Sequence, residues 1–208
     1  MNDIATRRAA GLAGIAFPVL LLAAFFISSP PGGEYSSGDI AKFVDSDHRP
    51  AVFVSVYLGL LAVVALIGLL ARLQDSIREA LKPGAGRFFW GTAVAGAGAM
   101  AIGWMLLVTV PVATGYAGTA LALDPHLVYT LCEAGWIVMF GAGGILIGVA
   151  LLVLAFASRG SLPVWLTVAT GVGGVAGVSA VAWFPFFLLL IWSLVVGVWL
   201  IAGARRTA

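Results

Sequence analysis

The residues of this sequence that are best suited to metal chemistry are two histidines, one with two aspartates close by and the other with one. Carboxylates and imidazoles are ligands that many divalent metal ions accept. The set comprises Asp45, Asp47, His48, Asp124 and His126. If residues 45–48 and 124–126 lie side by side, they could hold one metal ion. A metal-dependent membrane enzyme is one function that such a site would predict.

The same aspartates have a simpler interpretation as helix caps, which we favour. Pro50 suits the first turn of a helix, and Asp47 precedes it at a position suited to an N-cap. Asp124 and Pro125 repeat this order. Two aspartates are therefore expected to begin helices, and the metal site stays open as the alternative.

A single carboxylate, Glu133, lies within one of the longest apolar runs of the chain. An ionised carboxylate in the membrane costs at least about 2.5–3.5 kcal/mol on insertion scales, so such groups normally face protein or water. At helical spacing Glu133 shares a face with His126, Tyr129 and Thr130, which lie nearer the start of the run. Its position is about 12 Å along the helix from Pro125.

This polar stripe predicts a cavity that opens to the outside of the membrane, and Ser55 on another span would face it. The leading hypothesis is therefore binding or passage of a small molecule, lipid or ion, with Glu133 as the key group. In the alternative interpretation Glu133 is a packing residue that bonds a facing Thr, Ser or Trp side chain. No HExxH or GxSxG motif occurs, so an enzyme is the less favoured class, and whether the protein binds a cofactor stays open.

The composition excludes an ordinary soluble domain. Of the 208 residues, 62% are apolar and 10% are charged, and the mean hydropathy is +1.09. Soluble domains carry about 45–50% apolar and about 25% charged residues. We therefore expect a polytopic membrane protein whose partner is the lipid bilayer. The single cysteine, Cys132, excludes an intrachain disulfide.

Six stretches contain the roughly 20 apolar residues that a bilayer core of about 30 Å requires. They predict an all-α, single-domain, six-helix transmembrane bundle over residues 1–208. The spans are 9–28, 50–71, 88–113, 126–156, 163–182 and 184–203. The last two are joined by Trp183, Phe184 and Pro185, which predict a tight hairpin because proline interrupts a continuous helix.

The basic residues predict the orientation. All of the 11 lysine and arginine residues except Lys42 and Arg49 fall on the side of the N-terminus, which predicts that both termini are cytoplasmic. Because topology explains these charges, no nucleic-acid partner is expected. The excess of arginine over lysine with much alanine, glycine and valine suits a GC-rich bacterial genome, so we expect a bacterial plasma membrane.

The longest outer loop, 29–49, predicts a short amphipathic helix on the membrane surface. Ser36 and Asp39 have the spacing of a capping box. The apolar residues Ile40, Phe43 and Val44 follow at positions i, i+3 and i+4.

Small residues at four-residue spacing predict where helices approach closely, because packing rather than hydrophobicity drives helix association in lipid. The set comprises Gly91, Ala95, Ala99 and Gly103, then Gly141, Gly144 and Gly148, then Gly173 and Gly177. We expect packing within the bundle. The alternatives are a homodimer or a membrane-protein partner, which would make the chain a non-catalytic structural or accessory protein.

Four stretches together resemble a known group. They are "RRAAGLAGI", "SSGDIAKFVDSDHRPAVF", "ALIGLLARLQDSIREA" and "LPVWLTVATGVGGVAG". In this order they are similar to small six-span integral membrane proteins of actinobacteria that are grouped as a domain of unknown function. The resemblance implies six helices and a plasma-membrane location, and it carries no activity or site residue to this chain.

Overall fold

The fold is an all-α, polytopic membrane bundle, seen in a computed structural model that describes residues 3–33, 36–78, 82–117 and 124–206. Its α-helices are α1 (Asp3–Ser28), α2 (Ser37–Val44), α3 (Arg49–Ser76), α4 (Pro83–Ala117), α5 (Pro125–Trp136), α6 (Gly144–Ala157), α7 (Val164–Val178) and α8 (Phe184–Arg206). Short 3₁₀ turns cover Ser46–His48 and Ala180–Ala182, and a π-helix, Ile137–Gly143, joins α5 to α6.

By length and composition, five helices are long and apolar enough to cross a membrane. They correspond to the predicted spans 9–28, 50–71, 88–113, 126–156 and 184–203. The remaining predicted span, 163–182, contains α7, which has only 15 residues. At 1.5 Å per residue α7 is about 22 Å long, shorter than the hydrocarbon core. The multi-pass architecture is therefore confirmed, whereas the count of six full spans is approximate.

The helices pack as a closed ring. α1 contacts α3 and α8, α3 contacts α4, and α4 contacts α5, the π-helix and α6. α6 then packs on α7, and α7 on α8. We term the end of the bundle with residues 29–49 the outer end and the opposite end the inner end, after their predicted orientation.

Glycines allow several of these contacts to be close. A Cβ atom at Gly148 would collide with the α7 backbone at Val178, and one at Gly177 would lie 2.6 Å from the Cα atom of Gly148. Gly103 likewise approaches the α5 backbone at Gly135. These predicted small residues pack within the bundle, whereas Gly91 and Ala95 are exposed on α4.

The predicted amphipathic helix in the first outer loop is α2, and its capping box is present. The Ser36 N–H and hydroxyl donate to Asp39 Oδ2 at 3.0 and 2.8 Å, and the Asp39 N–H donates to the Ser36 hydroxyl oxygen. The Ser36 backbone N–H, followed by its hydroxyl, lowers the pKa of Asp39 below its ordinary value. Ile40 and Phe43 are buried, because α2 lies against α4 and α5.

One of the two predicted aspartate caps is correct. Asp124 caps α5, since its Oδ1 accepts the His126 N–H at 3.0 Å, with Pro125 in the first turn. The prediction for Asp47 is wrong: the residue before α3 is His48, and no side chain caps this helix. The 3₁₀ turn Ser46–His48 leads directly into α3, so Asp47 lies inside a helical turn instead of in front of one.

Candidate functional site: an aromatic pocket at the outer end

A pocket of about 300 Å³ lies at the outer end between α1, the start of the π-helix and α8. We term it the aromatic pocket. Its walls are almost entirely apolar, and they comprise Leu22, Phe25, Phe26, Ser29, Pro30, Trp136, Phe140, Trp183, Phe186, Phe187 and Leu190. Phe26 and Phe187 are 80% and 52% exposed on the surface of the bundle. The rim of the pocket therefore faces sideways, toward the lipid that surrounds the helices.

Aromatic rings from α1, α5, the π-helix, the turn before α8 and α8 itself pack against one another around this pocket. The rings of Phe25 and Trp136 stack with centroids 5.0 Å apart and planes 18° from parallel. Trp136 also stacks on Phe140 at 5.2 Å, and Trp183 lies 4.9 Å from Trp136. Phe186 on α8 approaches Phe140 at 4.4 Å. Such ring pairs contribute about 0.5–1.5 kcal/mol each beyond their buried area, so they give the pocket rigid walls.

The backbone around the pocket is irregular in three places. Among the described residues other than glycine, positive φ angles occur at Ser29 (41°) and Trp183 (65°), and both line the pocket. Side chains with a Cβ atom disfavour this region of backbone space. The third irregularity is the π-helix, which begins directly after Trp136 and includes Phe140. Strained residues and π-helices cluster at functional sites.

Side chains of α5 hold the turn that follows α1, residues 29–33, which we term the α1 turn. The Trp136 Nε1–H donates to the carbonyl oxygen of Pro31 at 3.1 Å. The Gly33 N–H donates to Glu133 Oε1 at 3.3 Å, and the Tyr129 hydroxyl donates to the Gly33 carbonyl oxygen at 2.7 Å. Three side chains of one helix thus fix the backbone that completes the outer wall of the pocket.

Two glycines make this attachment possible. A Cβ atom at Gly32 would lie 2.8 Å from Trp136 Nε1, so only glycine lets the indole reach the turn without a shift. Gly33 has a φ of 70°, which glycine adopts without the steric cost that other residues incur. The sequence "PPGG" (30–33) is therefore suited to a turn that lies under three α5 side chains.

The predicted ligand-binding residues do not all meet at one place. Glu133 and Tyr129 come together at Gly33, as described. The hydroxyl of Thr130 donates to the His126 carbonyl oxygen on its own helix, at 2.7 Å. His126 and Thr130 are exposed, and Glu133 is half-buried. In this arrangement Glu133 bonds a backbone N–H, which is close to its predicted packing role, although the partner is neither Thr, Ser nor Trp.

Ser55 is fully buried within the bundle. Its hydroxyl donates to the Val52 carbonyl oxygen at 2.7 Å, within α3. Its own carbonyl oxygen accepts the Trp104 Nε1–H at 3.2 Å. Ser55 therefore contributes to the contact between α3 and α4, and its hydroxyl is occupied by its own helix.

The five predicted metal ligands are not gathered into a site. Within the described ranges, no group of three or more His, Cys, Asp or Glu side chains is close enough to hold a metal ion. His48 Nε2 lies 2.9 Å from the Ser28 carbonyl oxygen, Asp45 accepts the Ser46 hydroxyl, and Asp124 caps α5. The other two predicted ligands are Asp47 and His126. Among the described residues, the structure therefore contains no cluster of ligands for the predicted metal site.

The phenylalanine and tryptophan residues of the aromatic pocket are absent from the predicted ligand-binding set. Trp136 and Phe140 share the helical face of Glu133, four residues apart, and Trp183 lies in the predicted hairpin. That spacing was the available signal for the α5 side of the pocket. Nothing in the sequence indicates that Phe25, more than 100 positions away, stacks on Trp136.

No family model, no curated protein and no solved structure matches this chain.

Proposed function

We propose that this protein binds the hydrocarbon tail of a lipid in the aromatic pocket, at the outer side of the membrane. The observation that carries the proposal is the convergence of Ser29, Trp183 and the π-helix on one cavity. Helices pack well without such irregularities, so their meeting at a single cavity favours a binding site over a packing defect.

The chemistry of the walls favours an apolar occupant. The lining consists of phenylalanine, tryptophan, leucine and proline apart from Ser29, whose hydroxyl is 3.1 Å from the Phe26 carbonyl oxygen and donates to it. A volume of about 300 Å³ is at the lower end of the usual range for ligand pockets. Such a space suits one hydrocarbon chain better than a whole phospholipid.

The position of the rim favours a lipid over a water-soluble molecule. The exposed rings of Phe26 and Phe187 border the pocket on the side that faces the bilayer. A tail can enter there without leaving hydrocarbon, so no cost of transfer through water arises.

In this proposal Glu133 and Tyr129 are positioning residues. They hold the α1 turn through Gly33, and the turn supplies Ser29 and Pro30 to the pocket wall. Their effect on binding acts through the backbone and not through contact with the tail. This differs from an ion or proton site, in which the charge of Glu133 itself would matter.

The test uses a neutral diacylglycerol with a photoreactive group in one acyl chain, followed by mass-spectrometric mapping of the crosslinked peptides. We expect crosslinks concentrated in residues 22–30 and 183–190. Leu22→Trp, which fills the pocket, should reduce them several-fold. The matched control is Leu12→Trp, because Leu12 is exposed on the same helix outside the pocket. Crosslinks spread evenly over the bundle surface in both variants would contradict the proposal.

A non-catalytic accessory role is the second candidate, and one observation favours it. Gly91, Ala95 and Gly98 are exposed along α4, with open space beside both glycines. A partner helix, from a homodimer or another membrane protein, could approach closely there. Cysteine crosslinking at Gly98 tests this role: no crosslink to a second chain in native membranes would count against it.

The cellular setting is part of the proposal. The distribution of basic residues supports cytoplasmic termini, and the composition supports a bacterial plasma membrane. Membership of the actinobacterial six-span group stays a prediction that rests on the four sequence stretches.

A further inference from the structure

A second cavity, of about 400 Å³, lies at the inner end of the bundle, opposite the aromatic pocket. It is bounded by the first turns of α1, the end of α3, the turn between α6 and α7, and the last turns of α8. Arg7 on α1 and Arg72 on α3 both line it, and both are half-buried. Two arginine residues from different helices therefore line one cavity, which we term the basic cavity.

Basic side chains outnumber acidic ones in the described lining of the basic cavity. Among the residues that the structure describes, its lining includes one carboxylate, Asp75, which is exposed, and two arginines. The hydroxyl of Ser76 donates to the Arg72 carbonyl oxygen at 2.9 Å. Ser161, in the turn between α6 and α7, adds an exposed hydroxyl. This lining suits an anion that accepts several hydrogen bonds.

An apolar groove of about 430 Å³ adjoins the basic cavity on the outside of α7 and α8. Trp199 lines both the cavity and the groove. The groove continues along α8 to Leu194, five residues or about 7.5 Å toward the membrane centre. Trp165 and Val198 in its walls are 49% and 57% exposed, so the groove is open to lipid. The basic cavity and the apolar groove therefore meet at one interfacial tryptophan.

We propose that this inner site binds one anionic phospholipid, with its phosphate between Arg7 and Arg72 and one acyl chain in the groove. A guanidinium group presents paired N–H donors that match phosphate oxygens. Basic pockets between helices on the cytoplasmic side are suited to anionic headgroups, and tryptophan favours the interface. The adjoining groove favours a lipid over free phosphate, because free phosphate has no apolar part that could bind to an apolar wall.

The test is native mass spectrometry of the full chain released from mild detergent, titrated with phosphatidylglycerol, phosphatidylcholine or inorganic phosphate. We expect preference for phosphatidylglycerol, and a loss of affinity of about ten-fold or more in the double variant Arg7→Gln/Arg72→Gln. The matched control is Arg8→Gln, because Arg8 is adjacent in sequence, exposed and outside the lining. It should bind like the wild type.

A second variant tests the acyl groove and does not depend on the arginines for folding. Val198→Trp adds bulk in the groove at an exposed position, so it should weaken phosphatidylglycerol binding. It should leave the binding of inorganic phosphate unchanged. Equal phosphatidylglycerol binding by the double variant and Arg8→Gln would overturn the proposal. Displacement of the lipid by inorganic phosphate, with Val198→Trp behaving like the wild type, would overturn the lipid assignment in favour of a soluble phosphate.

Discussion

The two ends of the bundle hold cavities of similar size but of opposite chemistry. The outer aromatic pocket lies where the backbone leaves regular α-helix, at Ser29, Trp183 and the π-helix. The inner basic cavity takes its charge from Arg7 and Arg72, which lie within regular helices. Basic residues can be assigned to one end of the bundle from the sequence alone, whereas an aromatic pocket depends on how distant segments of the chain meet.

The largest difference between the ends should appear when a tryptophan is removed from each. Trp136→Ala deletes a ring that stacks on Phe25 and Phe140 and bonds Pro31. We expect a loss of about 3–5 kcal/mol in the free energy of unfolding. Trp165→Ala, at a half-exposed inner position, should cost about 1 kcal/mol or less. Reversible unfolding in mixed micelles measures both, and equal losses would contradict the rigid role assigned to Trp136.

A smaller effect distinguishes the hydrogen bond of Glu133 from its charge. Glu133→Leu removes the acceptor of the Gly33 N–H, which should cost about 1–3 kcal/mol and weaken diacylglycerol crosslinking. Glu133→Gln keeps an acceptor oxygen in the same place and should behave like the wild type. Protection of the Gly33 amide from hydrogen exchange reports the bond directly. If Glu133→Gln loses binding while Gly33 stays protected, the charge is required and the positioning role is wrong.

Replacing one serine with glycine at each end should change the free energy of unfolding in opposite directions. Ser29 has a φ of 41°, so Ser29→Gly relieves strain and should raise the free energy of unfolding by up to about 1 kcal/mol. Ser161 lies in the inner turn without a positive φ, so Ser161→Gly should lower it slightly through the entropy of the unfolded chain. Thermal unfolding compares the two variants. A fall in stability for both would mean that the outer turn stores no strain.

The smallest expected effect is the pH dependence of the stability of the outer helix α2. The hydrogen bonds from Ser36 lower the pKa of Asp39 below its ordinary value of 3.8. The carboxylate therefore contributes stability to α2 above that value, and the contribution is lost as the pH falls through the lower folded pKa. A ¹³C titration of the Asp39 carboxyl group measures it. Ser36→Ala removes the hydroxyl bond but keeps the larger effect of the backbone N–H, so it should move the pKa only part of the way back up, whereas Ser37→Ala should leave it unchanged.

Features within one short stretch of sequence were predictable. The capping box at Ser36 and Asp39, the cap at Asp124 and the hairpin at Trp183 each depend on neighbours along the chain, and the structure contains all three. Asp47 was predicted wrongly, because a 3₁₀ turn continues into α3 where a cap was expected. Its local sequence fits both conformations.

The aromatic pocket was not predictable, for two physical reasons. Its walls come from α1, the start of the π-helix and α8, and hydrophobic residues in a membrane span look alike whether they face lipid or a cavity. The π-helix lies in the predicted span 126–156 and leaves no distinct pattern in the apolar sequence "IVMFGAG". Glu133 and Tyr129 were singled out as polar, but their partner, the Gly33 backbone, has no side chain to reveal it.

The most direct test of tail binding is ¹⁹F NMR of fluorotryptophan-labelled protein in bilayers that contain a lipid with a paramagnetic label in its acyl chain. Trp104, Trp136 and Trp192 are 0%, 9% and 3% exposed, but only Trp136 lines the aromatic pocket. An occupied pocket predicts that the label broadens the Trp136 signal about as strongly as that of half-exposed Trp165, and more strongly than the signals of Trp104 and Trp192, which do not line the pocket. A Trp136 signal as sharp as that of Trp104 would contradict lipid-tail binding in the aromatic pocket.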